Sequence, residues 1–303
     1  TLPAPKLSRS TPIFYGDASV SQDNHRAVVP ETLEGWAILH GIFRINWSSW
    51  KRLDEQKKKQ ILNEATEYFH QTSPPREGES ALFSLLGHKG DLLLLHFRPT
   101  LDLLNEAEIA FHHLSLAEHL EETTSYVSFL ELGLYEMTIK LHEQLLADGL
   151  QPGTDKWKII WRAEMDNQRE RMKGRLFMPI PDLRYLCFYP MNKRRSEKAN
   201  WYNEPIEKRQ MLMRDHGMVG RKYTGQVTQI ITGSIGFDDW EWGVYLFSDD
   251  PLVFKKLVYE MRFDEATVWY GEFGQFFISL RVRPQDLHLI FEGQVPEWSV
   301  AAE

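Results

Sequence analysis

The chain lacks several features that would fix its class at once. It has one cysteine, Cys187, so no internal disulfide can form, which fits a reducing cytoplasm. Long apolar runs are missing too. The longest purely aliphatic one, Leu92 to Leu95, falls far short of the roughly 20 residues a membrane span needs, and the N-terminal stretch carries no apolar signal core. The expectation is a soluble, cytoplasmic protein without a membrane span. Positive charge is also in deficit, with a formal net charge of -8 and a pI near 5.8. The cations are dispersed except at Lys193-Arg194-Arg195, which argues against nucleic acid and means that an anionic partner must be held locally. No glycine-rich phosphate loop, Ser-His-Asp order or HExxH pattern occurs, and the run Gly217-Met218-Val219-Gly220 is too weak to count as one.

What is present is ample material for cores, with 42% hydrophobic and 13% aromatic residues in 303. Residues 1–32, proline-rich and without sustained apolar period, read as an extended arm. Trp36–Ile45 reads as a strand, Ser48 or Ser49 caps a helix through Phe69, and Pro74-Pro75 stops it. Strands Ser80–Leu86 and Asp91–Phe97 flank a glycine-bounded turn, followed by helix Leu101–His113 and strand Ser125–Tyr135. That is β-α-β-β-α-β over residues 33–135. Residues 136–182 mix a short amphipathic piece, a Gln151-Pro152-Gly153 turn and a charged run, and read as a connector. Residues 183–303 then repeat the order, with strand Arg184–Tyr189, helix Asn203–Met218, strands Lys222–Thr232 and Trp240–Phe247, helix Pro251–Phe263 and strand Val268–Val282. Duplication of a split βαβ unit implies an α+β fold with helices on one face of each antiparallel sheet. Two open faces packed together, or closed as a barrel, would enclose an apolar cavity.

One stretch stands out in this pattern. The apolar strand ending at Tyr189 stops at Pro190, which cannot donate to a ladder, and three cations follow from Lys193. A phenol and a basic patch therefore meet at one strand end, unless the patch is only a solvated turn. On the following helix, Ile206, Met213 and His216 share a face, so His216 points inward near the helix end. It is either a hydrogen-bonded core residue or an axial ligand. A lone histidine without Cys, His or Glu at ligand spacing does not make a zinc site, yet suffices for haem iron, whose equatorial donors come from the porphyrin. Val227, Gln229 and Ile231 share a strand face that is either solvated or lines a cavity. Arg262 and Thr267, with Arg175 and Lys193, can bind a carboxylate, although Arg262 can equally pair with Glu265.

YPMNKRR at 189–195, His216-Gly217 followed by Gly220-Arg221-Lys222-Tyr223, Gln229 and MRFDEAT at 261–267 together resemble the coproheme decarboxylases. These are peroxide-dependent members of the chlorite dismutase-like superfamily, here in the distal-glutamine form typical of Firmicutes. The resemblance spans about Leu33 to Arg281. It implies two ferredoxin-like halves in a dimeric α+β barrel, commonly a homopentamer. It also implies Fe-coproporphyrin III (coproheme) as both substrate and redox cofactor, hydrogen peroxide as oxidant, haem b as product and a transient contact with ferrochelatase. His216 would then be the proximal iron ligand and Gln229 the distal residue. Tyr189 would be the radical-forming tyrosine beside the first propionate lost, and Lys193 would assist at the second. Arg175, Arg262 and Thr267 would hold propionates and Met191 would line the pocket. Thr267 departs from the family's usual serine, keeping the hydroxyl and adding a methyl. Three alternatives remain: a haem or coproheme carrier or sensor without turnover, a chlorite dismutase, which uses a distal arginine where this chain has Gln229, and a dimeric α+β barrel that binds a small acid without iron.

Overall fold

A computed structural model describes residues 29–72 and 78–298; most of the expected arm and the Pro74-Pro75 helix stop lie outside them. The strands are β1 Thr32–Ile45, β2 Glu79–Leu85, β3 Leu92–Arg98, β4 Leu120–Gly133, β5 Tyr185–Lys193, β6 Thr228–Gly233, β7 Trp242–Ser248, β8 Gly271–Phe273 and β9 Phe277–Val282. The α-helices are α1 Trp47–Trp50, α2 Glu55–Gln71, α3 Leu101–His112, α4 Tyr135–Ala147, α5 Asp155–Leu176, α6 Ile206–Arg221, α7 Leu252–Met261, α8 Glu265–Tyr270 and α9 Leu287–Phe291.

All pairings between these strands are antiparallel. The first half runs β4-β1-β3-β2 and the second β6-β7-β5-β9, the same permutation of a β-α-β-β-α-β unit twice over. The halves are zipped to each other on both sides, by β2 to β9 and by a short β4–β6 contact through Phe129↔Gly233 and Leu130↔Thr232. With β5 also paired to β7, the ladder of eight strands closes on itself.

Period-two alternation decides what fills this ring. Ile38, Ile42, Phe83, Leu93, Leu95, Phe188, Tyr245 and Phe247 form one buried cluster drawn from both halves. These bulky chains occupy the interior, so the cavity expected between the two sheets is not there. Outside the first half, Phe43, Leu82 and Leu94 pack beneath Ile61, Ala65 and Phe69 of α2 and Phe111 of α3. Outside the second half, Cys187, Tyr189, Val244 and Leu246 meet Phe254 and Leu257 of α7. Beside that cover the outer face stays open, and the cavity lies there.

Several boundaries differ from the sequence-based expectation. β5 does not end at Tyr189 but runs on through Pro190, paired with Gly243 of β7, to Lys193, and β1 and β4 begin earlier than expected, at Thr32 and Leu120. The helix expected from Ser48 or Ser49 is two helices, capped by Asn46, which accepts from the Ser49 N–H, and by Asp54, which accepts from Lys57 N–H at 2.7 Å. The connector at 136–182 consists largely of helices α4 and α5. The strand expected from Lys222 begins only at Thr228, because α6 runs on to Arg221 and a turn follows with Gly225 at φ +81°. Val268–Tyr270, β-prone in composition, is helical in α8, since Asp264 caps that helix by accepting from Thr267 N–H at 3.2 Å.

Candidate active site

Lys193, Met191, Tyr189 and Cys187 alternate along β5 and share its outer face, as Val227, Gln229 and Ile231 do at β6 and Trp242, Val244 and Leu246 do on β7. All of these except Cys187 line a cavity of about 2150 Å³, walled on the far side by α6 and extending between α4 and α5. The Gln229 face is therefore a cavity wall. From α6 come Arg209, Met213, His216, Gly217 and Gly220, which follow helical spacing. Arg175, Arg262 and Thr267 complete the set, so all eight residues singled out in the sequence border one space.

Tyr189 is 5% exposed and stacks on Phe276 with ring centroids 4.4 Å apart. Burial pushes its phenol pKa up, only partly opposed by Arg262, so the hydroxyl stays protonated. That hydroxyl has no hydrogen-bond partner among the described residues, which leaves it free for a ligand. Lys193, 8% exposed, holds its ammonium 4.5 Å over the Trp201 ring. Burial lowers its pKa to about 8, against the opposing pull of Asp264 and Glu241.

His216 lies on the cavity wall with Nδ1 3.1 Å from Oδ2 of Asp264. Burial alone would raise the Asp264 pKa, but hydrogen bonds from His216 and Thr267 bring it below the usual carboxylate range. An ionised carboxylate only accepts, so Nδ1–H donates, and in the neutral ring the lone pair then falls on Nε2, the tautomer a metal-binding imidazole needs. Thr267 is buried, and its hydroxyl donates to the same Asp264 oxygen at 2.7 Å. Its proton is thus committed within the protein, where a carboxylate-binding role would want it turned into the cavity. Arg262 stacks on Phe273, its guanidinium carbon 3.9 Å from the ring centroid, and makes no ion pair with Glu265. Arg175, in the last turn of α5, is exposed. That turn is seated by Gly35 of β1, where a Cβ would fall 2.0 Å from the Leu176 carbonyl oxygen. Trp36 Nε1–H, donating to Met178 O at 2.9 Å, anchors the chain just beyond it.

These residues suit an iron porphyrin bearing carboxylates. Among the described residues no three His, Cys, Asp or Glu side chains converge on a bare metal ion, so a metal held by His216 must arrive inside a ligand that brings its own donors. Beside His216 the helix backbone is uncovered: a Cβ on Gly217 would meet nothing within 4 Å, leaving room for a flat ring system. Sequence reasoning noted this glycine beside His216 but missed Asp264 and Glu241. Asp264-x-x-Thr267 before an apolar run was a readable cap signal. Asp264→Asn keeps the helix cap but removes the charge facing His216. Affinity for an iron porphyrin is expected to fall roughly 10–100-fold, with the melting temperature nearly unchanged; an absorbance titration reads the former and a thermal scan the latter.

A sequence profile of the family described as chlorite dismutase matches residues 58–282. A coproheme decarboxylase of Staphylococcus saprophyticus is 43% identical over 266 residues, 86% of this chain and 98% of that one. A putative heme-binding protein of Natronomonas pharaonis is 42% identical over 268 residues, 88% of this chain but only 42% of its own length. Among solved structures, a heme-binding protein from Thermus thermophilus aligns with a TM-score of 0.74 at 38% identity, covering 88% of this chain and 98% of the other. A variant of chlorite dismutase from Candidatus Nitrospira defluvii shares the fold, with a TM-score of 0.62 at 17% identity over 84% and 93% of the two chains. On the profile match and on relatives aligned over most of its length, the chain belongs to the chlorite dismutase family.

Proposed function

We propose that this protein is a coproheme decarboxylase, which turns two propionates of Fe-coproporphyrin III into vinyls, with hydrogen peroxide as oxidant, and releases haem b. The observation that carries the reading is the meeting, in one cavity, of a protonated buried phenol without an internal partner, a buried ammonium and an imidazole with a free Nε2. The 43% identity to a coproheme decarboxylase supports it.

In this reading His216 Nε2 holds the iron and Asp264 holds His216. The iron porphyrin, when bound, supplies the activation of peroxide. Gln229 serves from the β6 wall, and its amide reaches toward Gly220 of α6, where a Cβ would lie 3.5 Å from Nε2. Tyr189 gives up its phenolic hydrogen atom and recovers one from the β-carbon of the neighbouring propionate; carbon dioxide leaves as the vinyl forms. Each round balances as one propionate carboxylate, one hydrogen peroxide and one proton giving one vinyl, one carbon dioxide and two waters. Lys193 draws the second propionate, and Arg175 and Arg262 supply charge at the rim for the others. Thr267 contributes through Asp264 unless a bound carboxylate turns its hydroxyl. Met191 packs against the ligand. No helix among the described residues is long and apolar enough to cross a membrane. A cytoplasmic location, a homopentameric assembly and a passing contact with ferrochelatase belong to the same proposal.

The test adds Fe-coproporphyrin III to the purified protein, titrates hydrogen peroxide and follows the porphyrin by mass spectrometry. Stepwise loss of two carboxyl groups is expected. Tight binding with only bleaching would make the protein a carrier or sensor, and absence of binding would remove the iron from His216.

A further inference from the structure

The mechanism leaves one buried carboxylate without a role. Glu241 is 7% exposed at the entry to β7, and a carboxylate is costly to bury unless it is fully engaged. Its Oε2 accepts the Lys193 backbone N–H at 2.9 Å, and its Oε1 lies 3.2 Å from an Arg195 guanidinium nitrogen. Its own N–H donates to Asn192 Oδ1 at 2.8 Å, and its carbonyl accepts from Ser234 N–H at 2.8 Å. Asn192, Lys193 and Arg195 are thus all tied to one residue, at the point where β5 stops being apolar.

Lys193 is the member of this group that borders the cavity. Its ammonium rests on Trp201 and has no carboxylate within ion-pair distance among the described residues. We propose that Glu241 is the positioning residue for Lys193: it fixes the outer end of β5 so that the ammonium faces the ligand, and its charge keeps that ammonium cationic. The charged and titratable groups around Lys193 support this. Asp264 faces it from the start of α8 and Glu241 from the start of β7, both favouring the cation against the desolvation that brings its pKa down to about 8. Arg195, on its own segment, is held off by Glu241, and Tyr202, from the turn after β5, has its phenol pKa raised by burial and by Glu241.

The functional consequence rests on the decarboxylase reading, but the positioning does not. Glu241→Gln retains an oxygen for the Lys193 N–H and removes the charge, together with the ion pair to Arg195. In the ligand-free protein with 13C-methylated lysines, NMR should record the Lys193 midpoint lower by about one pH unit in the variant; an unmoved midpoint overturns the inference whatever the enzyme does. With Fe-coproporphyrin III and peroxide, the variant should accumulate the three-propionate, one-vinyl intermediate several-fold, and the alkaline limb of the second loss should move to lower pH. The double variant Lys193→Ala/Glu241→Gln should be no worse than Lys193→Ala. Additional loss in the double variant would make Glu241 merely structural, and would also overturn the inference. A wild-type protein that binds without turnover would defeat the decarboxylase reading and leave the NMR result standing.

Discussion

Tyr189→Phe is expected to abolish vinyl formation, lowering the rate by three orders of magnitude or more, while porphyrin affinity changes less than threefold. The substitution removes one oxygen, and that oxygen takes no part in holding the protein together. The ring keeps its stack on Phe276 and its place against Val244 and Leu246. The stability change should therefore lie within about 1 kcal/mol, well inside the usual range for single substitutions. Single-turnover experiments with stoichiometric peroxide read the rate, and an absorbance titration reads the binding. Retained turnover would mean that the hole reaches the propionate by another route, and Tyr189 would lose its place in the mechanism.

His216→Ala is expected to have the next largest effect. The porphyrin would still be drawn by Lys193, Arg175 and Arg262, so binding weakens without vanishing, by more than the roughly 10–100-fold that loss of a supporting group around a metal costs. The visible spectrum should lose its histidine-ligated character and regain it when imidazole is added. Asp264 keeps both hydrogen bonds from Thr267, so the cap of α8 survives and the fold should not change. A spectrum unaltered by the substitution would place the iron elsewhere in the cavity.

Much of this site was legible because strands alternate. The reading of Val227, Gln229 and Ile231 as one face needs only the period of two, and that face lines the cavity. Tyr189, Met191 and Lys193 share a face as well, but the strand was expected to stop at Pro190, whereas β5 runs through it to Lys193. The duplicated element order could be read for the same reason. Helix α5 could not be read that way. It buries only Trp157 and Leu176 along 22 residues, so its apolar period is too faint against the charged run. The signal that was there was local: Thr154 caps it by accepting from Trp157 N–H at 3.4 Å, just after Gly153 at φ +83°. Periodicity was equally silent on where the cavity would lie, because that depends on whether Phe188, Tyr245 and Phe247 fill the ring. Asp264 and Glu241 escaped notice because an acidic residue in a loop looks the same whether it is solvated or binding a neighbour's N–H.

The doubly zipped ring has a consequence for how the molecule can be divided. Each half, taken alone, would present two bare strand edges, β4 and β2 in the first and β6 and β9 in the second. Such edges recruit any extended chain they meet. Their best partners are each other, because the registers are already complementary. A chain cut in the turn between α4 and α5, where Gly149 and Gly153 both take positive φ, would therefore leave two fragments that aggregate apart and complement each other when mixed. The tyrosine and histidine proposed for the chemistry would both travel with the second fragment, and the glycine that seats Arg175 with the first.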